Sequence, residues 1–445
     1  MKRYLIGCVV TFFVILEFRV DFGAQAQTQS PAEKCAQAPF VRGLNGWLFR
    51  DYDFTPTQIL PEQILPYVVR LNNELKNAGV TLVLLPIPTK AAMLRIGSEA
   101  LSEEQFTHFG AVIEASKNLY KQSILELESR GIRTIDLLAS VPSDRRSGFF
   151  FKTDHHWSPD GAQLAAQATR LELEQLGLTQ LGLPSHPFET QIESQRLFEG
   201  SALSSFRTYC TDPWPAEPSI RYRTSEVYQE PNNLLGDQAF EVVLAGTSNS
   251  APERDFNFPG FLEQELKIPV LTFARSARWL TGWLAAYLTS EAFAAHKPRF
   301  LIWEFPLQFW TDPSSANDDY IPWFKHLIPS VTGACSGSKQ LETQTILTNR
   351  SQGQYPVLVS TEMAIGDRFY VHVDTGASES KKMTFLLEYK TSESEQVKLD
   401  FSDRSDNNGQ FYVELLSNRA PLERVTITPN QNDWPSELRV QLCAR

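Results

Sequence analysis

Cysteine is scarce in this chain, five in 445 residues, and none sits in a C-x-x-C pair or at a Cys/His spacing suited to zinc. Disulfides therefore outrank metal as the use of these thiols. Positive charge is also short. With 41 Lys and Arg against 52 Asp and Glu the net charge is −11, which argues against broad nucleic-acid binding or an adhesive basic membrane face. It says less about a small anionic ligand, which a local basic groove can hold. Past the N-terminus no apolar run is long enough to span a bilayer, no internal repeat is evident, and no Gly-x-Ser-x-Gly elbow occurs.

Apolar residues are plentiful, at 42% with 11% aromatic, enough for large cores and too much for disorder. The length exceeds what one core usually organises, so two domains are expected. Lys2 and Arg3, the apolar stretch Tyr4 to Leu16 and Ala24-Gln25-Ala26 read as a signal peptide over 1–26. Glu17, Arg19 and Asp21 make it unusually charged and leave an uncleaved anchor open. The expected location is outside the cytosol, secreted or periplasmic. Cys8 falls in the signal, leaving Cys35, Cys210, Cys335 and Cys443, for which three pairings exist. Sequence alone does not choose among them. Domain logic favours Cys335–Cys443 across the ends of a C-terminal module, with Cys35–Cys210 then tying the entry segment to a mid-chain loop.

From Val41 to Ile328 strands alternate with helices. Val80 to Leu85 is a nearly continuous apolar run, as for a strand buried on both faces, and Pro86-Ile87-Pro88-Thr89-Lys90 is expected to break it. A helix is predicted over Glu103 to Ser129, and a strand over Arg133 to Leu138. A second helix starts at Ser158-Pro159-Asp160-Gly161, with Ser as N-cap and Pro first inside, and runs to Leu176. Further strands are predicted at Glu241 to Leu244, Val270 to Phe273 and Arg299 to Trp303, implying βαβ units and a largely parallel sheet. Gln180 to Asp237 lacks clear periodicity and is expected to shape a binding surface. Beyond Cys335, seven short strands separated by polar turns such as Asp406-Asn407-Asn408-Gly409 indicate a β-sandwich. They are Val357 to Ser360, Arg368 to Val373, Met383 to Tyr389, Gln396 to Phe401, Gln410 to Leu416, Arg424 to Thr428 and Leu438 to Leu442.

Two motifs carry chemistry. Asp154-His155-His156-Trp157 offers a carboxylate and an imidazole two residues apart, and Gly246-Thr247-Ser248-Asn249-Ser250 presents a serine just after the apolar strand Val242-Val243-Leu244. Together they supply orienting acid, general base and nucleophile for acyl transfer, with order irrelevant to role. His155 is the rival base, expected to point away from His156 if the segment is extended. Ser250 is the rival nucleophile. In isolation each motif also fits a plain helix cap or turn. Adjacent histidines suggest metal, but no further ligand cluster supports one. Trp279, Trp283, Trp303 and Trp310 are candidate sugar-stacking faces, with core packing the commoner fate. Arg254, Arg275 and Arg278 suit either a uronate carboxylate or surface ion pairs.

The Asp-x-His-Trp run before a helix start, the later Gly-Thr-Ser-x-Ser, and Asn257-Phe258-Pro259-Gly260-Phe261-Leu262 resemble the AlgX/AlgJ-type alginate O-acetyltransferases. Gly43-x-Asn45-Gly46-Trp47-Leu48-Phe49 and Pro86-x-Pro88-Thr89-Lys90 resemble that family's early segments. The tail between two cysteines resembles the carbohydrate-binding module of its AlgX members. The resemblance implies an α/β fold with a circularly permuted SGNH hydrolase-like parallel sheet over residues 27–334 and a β-sandwich carbohydrate-binding module over 335–445. It also implies Ser248 as nucleophile, His156 as base and Asp154 as the acid orienting it, with no cofactor. Ser248 N–H is one candidate oxyanion donor and the loop Arg275-Ser276-Ala277 another. SGNH enzymes usually have a Gly at that loop and an Asn after the following strand. Here Trp303-Glu304-Phe305-Pro306 occupies the later place, which hints at a non-standard donor. The expected partners are an exopolysaccharide chain, a membrane-bound protein that supplies acetyl, and the polymer export complex. The same motifs also serve a carbohydrate acetylesterase, or a polysaccharide-binding scaffold with a degenerate site.

Overall fold

A computed structural model of the chain describes residues 31–94, 99–227, 239–276, 281–311, 320–335, 340–348, 353–358, 369–376, 380–401, 409–415, 421–429 and 435–445. The expected signal segment, Arg278, Trp279 and most of the Asp406 turn lie outside the described residues.

A short antiparallel pair, β1 (Phe40–Arg42) and β2 (Leu48–Arg50), precedes β3 (Thr81–Ile87) and β4 (Arg133–Thr134). Then come β5 (Phe188–Phe198), β6 (Glu217–Glu226), β7 (Val242–Gly246), β8 (Leu271–Ala274) and β9 (Phe300–Pro306). Five of these form an all-parallel sheet in the order β4-β3-β9-β7-β8. Side chains alternate between its faces. Leu82, Leu84, Val243, Ala245, Leu301 and Trp303 enter one core, with the helices Leu65–Asn77, Glu103–Ser129, Gly282–Leu288 and Ile321–Ser330. Val83, Leu85, Val242, Leu244, Phe300 and Ile302 enter the other, with Pro159–Gln175 and Phe258–Leu266. Both faces being covered is why these strands read as unbroken apolar runs.

The helix Glu103–Ser129 and the Ser158 cap with Pro at the first turn match expectation; the second helix ends at Gln175, with Leu176 as its C-cap. Other segments depart from it. β3 continues through Pro86 to Ile87. Its pairing with β4 ends at Leu84, so Pro86 lies where β3 is an edge, and its missing N–H breaks no ladder there. The Arg133 strand stops after two residues, because Asp136 accepts Ala139 N–H and caps the helix Leu137–Ser140. Of the span Gln180 to Asp237, residues 228–237 lie outside the described residues, and the rest is more ordered than its composition implies: β5 and β6 pair as an antiparallel ribbon flanking the helix Ser201–Phe206.

Among the described residues eight strands follow: β10 (Gln340–Leu347), β11 (Tyr355–Leu358), β12 (Phe369–Asp374), β13 (Lys382–Tyr389), β14 (Ser394–Asp400), β15 (Gln410–Glu414), β16 (Leu422–Pro429) and β17 (Glu437–Ala444). They form two four-stranded antiparallel sheets, β10-β17-β12-β15 and β11-β16-β13-β14, a β-sandwich. Each of the seven expected strands has a counterpart, with β10 in addition; Ser360, Arg368 and Leu416 at the ends of three of them lie outside the described residues. Disulfides join Cys35 to Cys210 and Cys335 to Cys443. The second holds the exit of the helix Ile321–Ser330 against β17.

The sandwich shares a core with the parallel-sheet domain rather than hanging from a linker. Phe401 packs edge-on to Trp323 and His326, and Tyr412 N–H donates to His326 Nδ1 at 3.1 Å. Buried Glu414 of β15 pairs with Arg70 of the helix Leu65–Asn77 and with Arg445, which reaches Glu74 of that helix at 3.1 Å.

His326 is fully buried, and burial pushes its pKa down to about 3 from 6.5. Below pH 6.5 the unfolded chain takes up a proton that the folded chain refuses until pH falls to about 3. Stability therefore falls as pH falls through that window. Between pH 7 and pH 5 the expected loss from this group is about 2 kcal/mol. Urea unfolding of wild type and His326→Gln at both pH values checks this; parallel losses in the two proteins would assign the effect elsewhere.

Candidate active site

Residues 149–158 fold back on themselves. Phe150 and Trp157 bridge, Phe151 N–H donates to the His156 carbonyl at 3.2 Å, and Ser158 N–H to the Phe149 carbonyl at 2.9 Å. Ser158 Oγ then accepts Gly161 N–H at 3.1 Å and opens the following helix. Gly161 is needed there, because a Cβ would lie 2.0 Å from the Phe149 carbonyl oxygen. This tight base leaves Asp154 and His156 at the loop's tip.

Three outside groups hold the tip. Glu217, at the start of β6, accepts Lys152 N–H at 2.9 Å and Thr153 N–H at 2.7 Å. Ser201 donates its N–H (2.8 Å) and its hydroxyl (3.0 Å) to the Asp154 carboxylate. The third is Lys90, fully buried, whose ammonium donates to the carbonyls of Leu48 (2.8 Å), Lys152 (2.7 Å) and Asp154 (3.0 Å). It lies 5.1 Å from the Trp47 ring centroid and 5.2 Å from that of Phe49. Burial pushes its pKa down to about 8, with Asp53, Glu217 and Asp154 opposing the shift. The two early motifs thus meet at one cation under the loop.

Asp154 Oδ1 lies 2.9 Å from His156 Nδ1, and His156 Nε2 lies 2.8 Å from Ser248 Oγ. Asp154 and His156 are buried while Ser248 is partly exposed, so the hydroxyl is the end of the relay open to a ligand. Burial alone would raise the Asp154 carboxyl. Hydrogen bonds from His155 and His156 overcome this and hold it well below the usual carboxylate range. An anionic, acceptor-only carboxylate assigns the proton of His156 to Nδ1, leaving Nε2 to accept from Ser248.

His155 does not point away. The loop is bent, so the two imidazoles lie 3.9 Å apart and His155 Nδ1 faces Asp154 and Ser201 Oγ, each at 3.0 Å. Burial and the neighbouring His156 lower its pKa. Asp154, His155 and His156 have ligand-type atoms within 4.8 Å of one another, but both Nδ1 atoms are turned to the carboxylate and bond it rather than a shared empty centre. Ser250 is fully buried and donates to Glu304 at 2.8 Å, which takes it away from the histidine.

Glu304 is a site residue whose role the sequence did not reveal. Fully buried near the end of β9, it accepts Thr247 N–H at 2.7 Å and the hydroxyls of Thr247 (2.9 Å) and Ser250. Burial raises its pKa to about 7 against the pull of those donors. One signal was available: a lone acid inside Phe300–Pro306, otherwise wholly apolar, must find donors. On the other side of the turn, Trp157 Nε1–H donates to the Asn249 carbonyl at 2.9 Å, joining the two motifs directly. Asn257, at φ 56°, starts the helix Phe258–Leu266 and donates to Thr224 Oγ1 at 2.9 Å, which anchors β6 beside the site.

Ser248 N–H has no acceptor among the described residues and remains available to an oxyanion. The second loop considered fares worse: Ser276 N–H is taken by Glu253 at 2.9 Å, and Ala277 lies outside the described residues. Trp303 and Trp310 are core residues, not sugar platforms. Trp283 lies under Arg275, whose guanidinium is 5.7 Å from its ring centroid, and Arg254 donates to Ser276 Oγ at 2.7 Å.

Comparison with known proteins gives the family. Residues 40–307 match the family described as SGNH hydrolase-like domain, acetyltransferase AlgX. The alginate biosynthesis protein AlgX of Pseudomonas aeruginosa is 29% identical over 406 residues, 89% of this chain and 78% of that protein. The probable alginate O-acetylase AlgJ of the same organism is 32% identical over 307 residues, 64% of this chain and 74% of its own. The solved structure of Pseudomonas aeruginosa AlgX superposes with a TM-score of 0.75 at 26% identity, covering 91% of this chain and 94% of that one. The matched span runs from β1 to the end of β9 and takes in both motifs, so the chain belongs to the AlgX family of SGNH hydrolase-like acetyltransferase domains.

Proposed function

We propose that the protein is an O-acetyltransferase that moves acetyl groups, by way of an acetyl-serine on Ser248, to hydroxyls of an exported polysaccharide, alginate or alginate-like. The observation that carries this is the continuous relay from Asp154 through His156 to Ser248, at 2.9 and 2.8 Å. In the first half, Ser248 Oγ attacks the acetyl carbonyl while its proton passes to His156 Nε2. The bond from acetyl to the donor's leaving group then breaks, and His156 returns the proton to that group. In the second half a sugar hydroxyl attacks the acetyl-serine, its proton passes to His156, and the restored Ser248 hydroxyl recovers it. Asp154 holds the imidazolium in both halves, and Ser248 N–H faces the developing oxyanion.

Residues 27–334 form the acetyl-transferring domain in this reading, and the sandwich 335–445 holds the polymer. Two disulfides and the signal-like N-terminus support work in the periplasm. That compartment lacks cytosolic acetyl-CoA, so a membrane-bound partner supplies the acetyl group beside the export machinery. The test uses the purified protein with a chromogenic acetyl ester, with and without an oligouronate. The expected result is an acetyl adduct on Ser248 in the mass spectrum and acetylated sugar when the acceptor is present. Release of acetate at a rate the acceptor leaves unchanged, with no acetylated sugar, would make the protein an esterase.

A further inference from the structure

Resting on the acetyl-serine reading, we propose that Glu304 is a positioning residue that presents both the hydroxyl and the backbone N–H of Ser248 to the reacting carbonyl. It touches no reacting atom. Its effect runs through Thr247, the residue before the nucleophile. Thr247 gives Glu304 its N–H at 2.7 Å and its hydroxyl proton at 2.9 Å. The Thr247 hydroxyl donates its one hydrogen to Glu304 and keeps its lone pairs for other donors. Asn249 uses them, with its N–H and its side-chain Nδ2 both 3.3 Å from Thr247 Oγ1. Ser250 N–H closes the turn on the Thr247 carbonyl at 3.0 Å, and its hydroxyl returns to Glu304 at 2.8 Å.

The amides of Thr247, Asn249 and Ser250 are therefore engaged within the turn, and that of Ser248 is left over. The unsatisfied donor falls on the one residue whose hydroxyl meets His156 Nε2. Gly246 makes the approach of Glu304 possible: a Cβ there would lie 2.7 Å from Glu304 Oε2 and 2.7 Å from Ser250 Cβ. β9 is the middle strand of the sheet and every one of its residues is buried, so the carboxylate is held from within the core. Trp157 fixes the opposite side of the turn at Asn249, which leaves Ser248 little freedom except toward the histidine.

The experiment measures acetylation of the full chain by a chromogenic acetyl ester, with mass spectrometry of Ser248, in wild type, Glu304→Gln, Glu304→Leu, Thr247→Val and Glu304→Gln/Thr247→Val. Glutamine keeps an acceptor oxygen but cannot take every donor. The expected fall in kcat is about tenfold for Glu304→Gln and about a hundredfold for Glu304→Leu, with KM changed by less than about twofold, as for lost oxyanion support. The double variant should be little worse than Glu304→Gln, because both changes remove one shared interaction. Urea titration of each variant corrects the rates for unfolded protein. Wild-type kcat in both Glu304 variants, or losses no greater than their unfolded fractions, would overturn the proposal. A wild-type protein that forms no adduct would instead remove the acetyl-serine reading on which it rests.

Discussion

Ser248→Ala is expected to abolish the acetyl adduct and to lower acetyl transfer by a factor on the order of 10⁴ or more. His156→Ala should fall as far, and the double variant no further, because the two groups act as one unit. Asp154→Asn is informative in a different way. An amide at that place can offer His156 Nδ1 a donor where the carboxylate offers only acceptors, which favours the wrong tautomer. The expected loss is again on the order of 10⁴. It should come without unfolding, provided that the bonds Ser201 now makes to Asp154 are largely kept by the amide oxygen. Single-turnover labelling with a chromogenic acetyl ester reads all four variants. Wild-type labelling of Ser248→Ala would move the nucleophile elsewhere in the chain.

The second large effect concerns the tail. A chain ending at Ala334 is expected to fail to fold as a soluble domain. Trp323, Phe324, Leu327 and Ile328 are all buried, with Phe401 packed against Trp323. Phe324 would keep its packing on Trp303 and Tyr67, but baring Trp323 costs about 1.5–3 kcal/mol, and His326 loses both Phe401 and the Tyr412 N–H. Arg70 would also lose Glu414, its buried partner across the junction. Soluble yield and urea midpoint of residues 27–334 against residues 27–445 measure the effect. A truncated protein with an unchanged midpoint would show that the sandwich is a passenger.

Local chemistry was legible where a few neighbouring residues decide the outcome. Ser158-Pro159 announces a helix start whatever lies around it, and the apolar runs of β3, β7 and β9 state that both faces are covered. The Asp-x-His and Gly-Thr-Ser motifs were visible too, and both fall in one relay. β10 and the β5–β6 ribbon were not legible, for a common reason. Their residues are mostly exposed or half-buried, so burial imposes no alternation on the sequence. Residues acting from a distance were hidden for another reason. Ser201 lies 47 positions from Asp154, and Glu304 lies 57 positions from Thr247. No local pattern encodes such a meeting, which depends on the order of strands in the sheet. His155 was misjudged because its direction was inferred from an extended backbone, and the Phe150–Trp157 bridge bends that backbone.

The strand order also sets a schedule. β9 separates β3 from β7 in the sheet, yet it is the last of the five to leave the ribosome. Until residues 300–306 arrive, the half that carries Asp154 and His156 and the half that carries Ser248 lack the strand between them. An interrupted chain then holds Asp154 and His156 together in their loop but lacks Glu304, the carboxylate under the serine turn, which arrives on the same late strand. The strand order therefore ties the meeting of Asp154 and His156 with Ser248 to the arrival of the sheet's last strand.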